Sequence, residues 1–264
     1  MTGFEIAAIA LAGLVAGFIN AVAGSGTLVT FPTLLAFGIP PVTANVSNNV
    51  GLVPGSVSAA FGLREELRGQ RRRLLRLATG SLLGGVVGAL LLLWLPSEAF
   101  DAIVPALIGL GVLLVAFQPR INRWLGERRR RAALRSGDGP VADGDRPDAG
   151  WLWPAVAATG VYGGYFGAAQ GILLVAVLGL GSGDPVHRAN AIKNALAAVV
   201  NGVAAVVFIA VADVDWLVAG LIAAGSTVGA LVGARVGRRL PAAALRGVIV
   251  VVGVTALVVF LVRS

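Results

Sequence analysis

The sequence predicts an all-α polytopic membrane protein. It predicts two inverted-topology repeats of about five hydrophobic segments each, with broken or re-entrant helices near the start of each repeat. Three observations carry this. First, hydrophobic residues make up 57% of the 264-residue chain and charged residues only 13%, with a mean hydropathy of +0.87. A water-soluble domain needs a more polar surface. Second, the chain repeats itself. Gly26, Leu28, Gly38, Pro40, Ala44, Asn45 and Asn49 recur 145 residues on as Gly171, Leu173, Gly183, Pro185, Ala189, Asn190 and Asn194. The same register carries Gly80, Ser81, Gly84, Gly88 and Pro96 onto Gly225, Ser226, Gly229, Gly233 and Pro241 without a gap. Self-similarity at one long period means two copies of one structural unit. Third, arginines fall in loops on alternating sides of the apolar segments, as set out below.

The first repeat occupies residues 1–118, with hydrophobic segments at about Phe4–Ala23, Thr27–Phe37, Val42–Gly62, Leu74–Leu95 and Ala99–Gln118. The second occupies 151–264, with segments at about Trp151–Ala168, Ile172–Leu180, Arg188–Val211, Trp216–Arg235 and Ala242–Val262. Most approach the roughly 20 residues that cross a bilayer as a helix. The second segment of each repeat, at about ten residues, is too short to do so, hence the broken or re-entrant reading. Glycine is abundant at 37 residues, and the spacings Gly80/Gly84/Gly88 and Gly225/Gly229/Gly233 are small-xxx-small faces for close helix packing. The N-terminus lacks the basic start of a cleaved signal peptide, and its apolar run continues into the repeat motif. Residues 119–150 join the repeats through Arg128–Arg131 and a Gly/Asp/Pro-rich tract. That composition reads as a solvated cytoplasmic loop, with anionic lipid or a partner as the second reading of its arginines.

Charge sets orientation, because basic loops stay in the cytoplasm. Arg64–Arg73 holds five arginines, and the run 120–135 is also arginine-rich, so both are expected inside. The repeat-two counterpart of the first loop, Ala212–Asp215, has no basic residue and is expected outside. The counterpart of the Pro96–Glu98 turn, Arg235–Pro241, has three arginines and is expected inside. Each matched loop thus changes side, which is an inversion. Both termini are then expected outside a cell membrane. The net charge of +8 is explained by this topology, so no nucleic-acid partner is expected.

Several functions are excluded by what is missing. With no cysteine, disulfides and thiolate chemistry are ruled out. Gly24–Gly26 and Gly179–Gly183 are not followed by GK[ST], so they are not nucleotide loops. No nucleophile–base pair or zinc motif is apparent, so no catalytic residues, metal or cofactor are expected, and the chain does not read as an enzyme. His187, a single histidine, does not make a metal site.

Polar residues in a bilayer are costly and need a reason. They cluster in matched places: Asn20, Ser25, Gly26, Asn45, Asn48 and Asn49 in repeat one, and Gln170, Gly171, Asn190, Lys193 and Asn194 in repeat two. Asn45 and Asn49 share a helix face, as do Asn190 and Asn194, and Ser56 aligns with Asn201 further along it. The glycine breaks are expected to expose helix-end amides to an anion. Lys193, the only lysine, replaces Asn48 of repeat one. It either attracts an anionic substrate or snorkels to the cytoplasmic interface, with Asp184 the nearest carboxylate in sequence. The asparagines either line a site at the repeat interface or tie helices together. Paired repeats of this kind build transporters with a midplane site. The competing readings are a channel or carrier for another small ion, and a non-transport membrane scaffold.

The stretch Gly17–Gly62, with its Gly24–Gly26 break, Gly38-Ile39-Pro40, Ala44 and Asn45, resembles the TauE/SafE (sulfite exporter) family. So does its partner Gly163–Asn201. The resemblance implies a permease that exports sulfite or small organosulfur anions such as sulfonates. The chain departs from the glycine-rich break of the family at Tyr165, Phe166 and Gln170.

Overall fold

The computed structural model describes residues 1–136, 148–182, 184, 186–236, 247, 249–255 and 257–258. Among these there are helices and turns but no strand. The helices are α1 (Gly3–Val22), α2 (Thr27–Ala36), α3 (Pro41–Gly62), a 3-10 turn at Arg64–Leu67, α4 (Arg71–Trp94), α5 (Ser97–Ser136), α6 (Leu152–Tyr165), α7 (Gln170–Gly181), α8 (Val186–Val211) and α9 (Trp216–Val236). Residues 249–255 are also helical, within the expected segment Ala242–Val262, most of which lies outside the described residues. So do Gly183, Pro185, Arg238, Arg239 and Pro241.

Among the described residues, five helices are long and apolar enough to cross a membrane: α1, α4, α5 over Ser97–Arg128, α8 over His187–Val211, and α9. α3 has the length but carries Asn45, Ser47, Asn48, Asn49 and Ser56, all buried, so its polar face points into protein. α2 and α7 have 10 and 12 residues, about 15–18 Å at 1.5 Å per residue, roughly half the hydrocarbon core.

One boundary differs from expectation. Composition places the start of the linker at Pro119, but α5 runs on to Ser136 as a 40-residue helix with Pro119 inside it. The reason is local composition: Arg, Leu, Ala and Glu dominate 120–135, and all are strong helix formers. Arg128 over Trp124 and Arg120 over Phe117 add ring contacts along the extension. The remainder of the linker, 137–147, lies outside the described residues.

The repeats are not packed as separate bodies. α1 lies against α9, and its counterpart α6 lies against α4; α3 packs on α9 and α8 on α4. The glycines make these crossings close. A Cβ on Gly229 would stand 1.9 Å from Leu14 O, and one on Gly17 would stand 2.1 Å from Ser226 O. In the matching pair, Cβ atoms on Gly84 and Gly88 would each lie 2.1 Å from a carbonyl of α6. These faces are therefore packing surfaces, as their spacing indicated. α3 and α8 meet at the centre, where Asn201 Nδ2 donates to Ser56 Oγ at 3.0 Å. Two positions 145 residues apart thus touch each other.

Candidate functional site

The centre is built from the two helix breaks. α1 ends at Val22, Gly24 takes a left-handed φ of 78°, and α2 begins at Thr27. In repeat two, Ala169 occupies the register of Gly24 and is also left-handed at φ 61°. The breaks touch: Gly171 N–H donates to Gly24 O at 3.0 Å. A Cβ on Gly24 would lie 2.4 Å from Gly171 Cα. Glycine is required here by contact and by φ together.

Helix-end groups meet polar side chains across the repeats. Asn45 Nδ2 donates to Tyr165 O at 2.9 Å, at the end of α6. Reciprocally, Asn190 and Asn194 donate to Ala21 O at 3.2 and 3.1 Å, at the end of α1. Lys193 Nζ donates to Asn20 O at 2.9 Å and to Ala21 O at 3.5 Å. An ammonium on the last carbonyls of a helix sits at the negative end of its dipole. Lys193 is only 1% exposed, so it does not snorkel. Nor does it pair with Asp184. That carboxylate accepts from Ser182 at 2.6 Å and pairs with Arg73 at 2.7 Å. Among the described residues no carboxylate forms a salt bridge with Lys193.

A cavity of about 30 Å3 opens beside Lys193, room for roughly two waters. Of the expected site residues, Asn20, Gln170, Gly171, Lys193 and Asn194 line it. Gln170 is 4% exposed, and its Nε2 has no partner among the described residues. Ser25, Gly26, Asn45, Asn48, Asn49 and Asn190 do not line it. Ser25 Oγ, Asn48 Oδ1 and Asn49 Oδ1 are buried without a partner. For Asn45, Asn190 and Asn194 the interhelical role is directly visible in the bonds above.

The expectation of free helix-end amides is corrected at two positions. Gly26 N–H is taken by Asn20 Oδ1 at 2.6 Å, and Gly171 N–H by Gly24 O. Asn20 folds back as a cap, because its side chain is short enough to reach across the break. Sequence reasoning did not single out Gly24, Thr27 or Gly167 as lining, nor Ser56 and Asn201, though all five border the cavity. The Ser56/Asn201 column was the available signal. His187 is half exposed, 3.7 Å from Glu66. No cluster of three or more His, Cys, Asp or Glu occurs among the described residues.

Comparison with known proteins gives a consistent relationship. The probable membrane transporter protein ORF9 of Sinorhizobium sp. is 32% identical over 112 residues, 42% of this chain and 43% of that protein. The probable membrane transporter protein YfcA of Escherichia coli K12 is 28% identical over 159 residues, 60% of this chain and 53% of that protein. A probable membrane transporter protein of Haemophilus influenzae is 32% identical over 122 residues, 46% of each. The chain thus spans about half the length of the curated relatives it matches. No solved structure gives a significant match. The family profile described as Sulfite exporter TauE/SafE matches residues 9–260, nearly the full sequence and both helix breaks. The chain belongs to the TauE/SafE family.

Proposed function

We propose that this chain is a secondary membrane transporter that exports small sulfur oxyanions, sulfite or a small sulfonate, across the cell membrane. The observation that carries the reading is the buried Lys193 side chain. It faces a polar cavity between the two breaks, next to Gln170 Nε2, and among the described residues no carboxylate pairs with it and no group bonds that Nε2. A buried charge without a counter-ion is costly, and an anion in the cavity supplies one. The donors suit oxyanion oxygens. At about 30 Å3 the cavity must widen to load such an anion, which fits a closed stage of an alternating-access cycle. Outward movement of one negative charge down an inside-negative potential releases about 2.3 kcal/mol per 100 mV. No catalytic step or cofactor is needed for this work.

The inverted-repeat reading supports it. Matched helices pack in exchanged pairs, and equivalent positions touch at Ser56 and Asn201; the positive-inside rule adds the expectation that the arginine loops alternate in side. Inversion predicts that Arg68→Cys and Asp213→Cys, in a chain free of other cysteines, react with an impermeant thiol reagent from opposite sides; reaction from one side ends it. The transport reading is tested in proteoliposomes with sulfite, sulfoacetate, taurine and thiosulfate. Movement of at least one anion under an imposed potential is expected, and no movement of any refutes it.

A further inference from the structure

α5 continues past its apolar span as a helix, and that decides what its arginines meet. At about 100° per residue, Ile103, Leu110, Leu113 and Phe117 fall on one stripe of α5, and all four are exposed. Val104, Ile108, Val112 and Val115 fall on the opposite side and are buried in the main core. On a helix long enough to span, the exposed apolar stripe is the one turned to acyl chains. The same stripe, about 100° wide by the same geometry, runs on through Arg120, Trp124 and Arg128, which are exposed as well.

The stripe changes from apolar to basic between Phe117 and Arg120. From Ser97 to Phe117 the helix rises about 30 Å, roughly the thickness of the hydrocarbon core, so the residues that follow stand at headgroup depth. Tryptophan is a residue of that layer. Side chains on a helix lean toward its N-terminus, here back toward the bilayer. Arg120 reaches back over the Phe117 ring and Arg128 over the Trp124 ring, each with its guanidinium carbon 5.1 Å from the ring centroid. A ring takes one face of the planar guanidinium and leaves the N–H groups at its edge open to oxygens. Among the described residues neither Arg120 nor Arg128 forms a salt bridge. By contrast, Arg73 and Arg76 bind Asp148, Arg73 also binds Asp184, and Arg131 pairs with Glu127.

We propose that Arg120, Trp124 and Arg128 bind the headgroups of anionic phospholipids, phosphatidylglycerol being the simplest, in the leaflet where α5 leaves the bilayer. The acyl chains of such a lipid lie along the apolar part of the stripe, and its phosphate oxygens accept from the guanidinium edges. A zwitterionic headgroup brings an ammonium that offsets this attraction, and an anionic headgroup does not. The surface lies on the outside of α5 and uses none of the residues that line the Lys193 cavity.

The test uses the full chain with Trp124 as its only tryptophan, Trp94, Trp151, Trp153 and Trp216 being replaced by Phe. It is reconstituted in vesicles of phosphatidylglycerol and phosphatidylcholine in equal parts, with bromine near the top of the acyl chains of one lipid or the other. Quenching of Trp124 then reports which lipid lies beside it. Phosphatidylglycerol should be enriched there about fivefold or more, the preference expected from one arginine at an anionic surface. Arg120→Gln combined with Arg128→Gln should bring the two lipids to parity. Equal quenching by both lipids in the chain with its arginines intact overturns the proposal. So does an undiminished preference in the double variant. Weak quenching by either lipid overturns it too, because protein, a second copy or a partner, then covers the stripe. If the tryptophan replacements prevent folding, the unaltered chain and the double Gln variant are purified in detergent from the same vesicles without bromine. The ratio of the two lipids they retain is then measured, and the same ratio in both overturns the proposal. No anion flux enters these measurements, so failure of the transport reading and failure of this surface are read separately.

Discussion

Lys193 is buried beside the cavity with its Nζ on the last carbonyls of α1. Its stem packs against Gly171, where an added Cβ would meet Lys193 Cδ at 2.9 Å, and its Nζ is held on backbone oxygens. Lys193→Met keeps most of the stem and removes the charge. Anion flux in proteoliposomes should fall at least tenfold, the loss of one charge-assisted contact worth about 1.4 kcal/mol or more. Unchanged flux would take Lys193 out of the site. Lys193 stands out in the sequence, because a lone lysine among apolar residues is conspicuous. Its partners do not. They are carbonyls freed by the end of α1, and a carbonyl looks the same at every position of a sequence. The caps at Gly26 and Gly171 escaped notice for the same reason: whether a helix-end amide is free depends on what folds back over it.

At the scale of elements, close helix crossings and one ionic cluster hold the arrangement. Gly229→Ala places a Cβ 1.9 Å from Leu14 O, so α1 and α9 must separate. A cost of about 1–3 kcal/mol is expected from overpacking, read as a lower Tm. Gly220→Ala, in the same helix with nothing within 4 Å, should leave Tm unchanged or slightly raised. Equal behaviour of the two variants would refute the close-crossing account. The cluster joins the start of α4 to both ends of the α6–α7 unit. Arg73 binds Asp148 through Nε at 3.0 Å and Nη2 at 2.9 Å and reaches Asp184 at 2.7 Å, while Arg76 also pairs with Asp148. Both carboxylates are nearly buried. Arg73→Ala should cost about 3 kcal/mol by leaving Asp184 unpaired, whereas exposed Arg72→Ala should stay within about 0.5 kcal/mol; chemical denaturation in detergent separates them. The helices and their glycine faces could be read from apolar length and spacing. The ion cluster could not, since its ion pairs join residues 72 to 111 positions apart in numbering. The continuation of α5 past Pro119 was hidden by arginines that signal a loop by charge and a helix by propensity.

For the whole molecule, the defining fact is that matched helices trade partners. Ser56 and Asn201 mark where the two copies meet, and their bond can be weighed by a double-mutant cycle. Ser56→Ala, Asn201→Ala and the double variant should show a coupling of about 0.5–1.5 kcal/mol; additivity would show that the contact contributes nothing. The 145-residue register was plain in the sequence. Which helix lies on which was not, because glycine faces on α1, α4, α6 and α9 are alike in composition and any could fit another. The exchange has a consequence for synthesis. α1 leaves the ribosome nearly 200 residues before α9 begins. At roughly 5–20 residues per second, its Gly13–Gly17 groove waits on the order of 10–40 s for the backbone that fills it. Throughout that interval the first helix is a finished span with an unoccupied seam, and insertion of this chain must keep that seam from closing on the wrong neighbour.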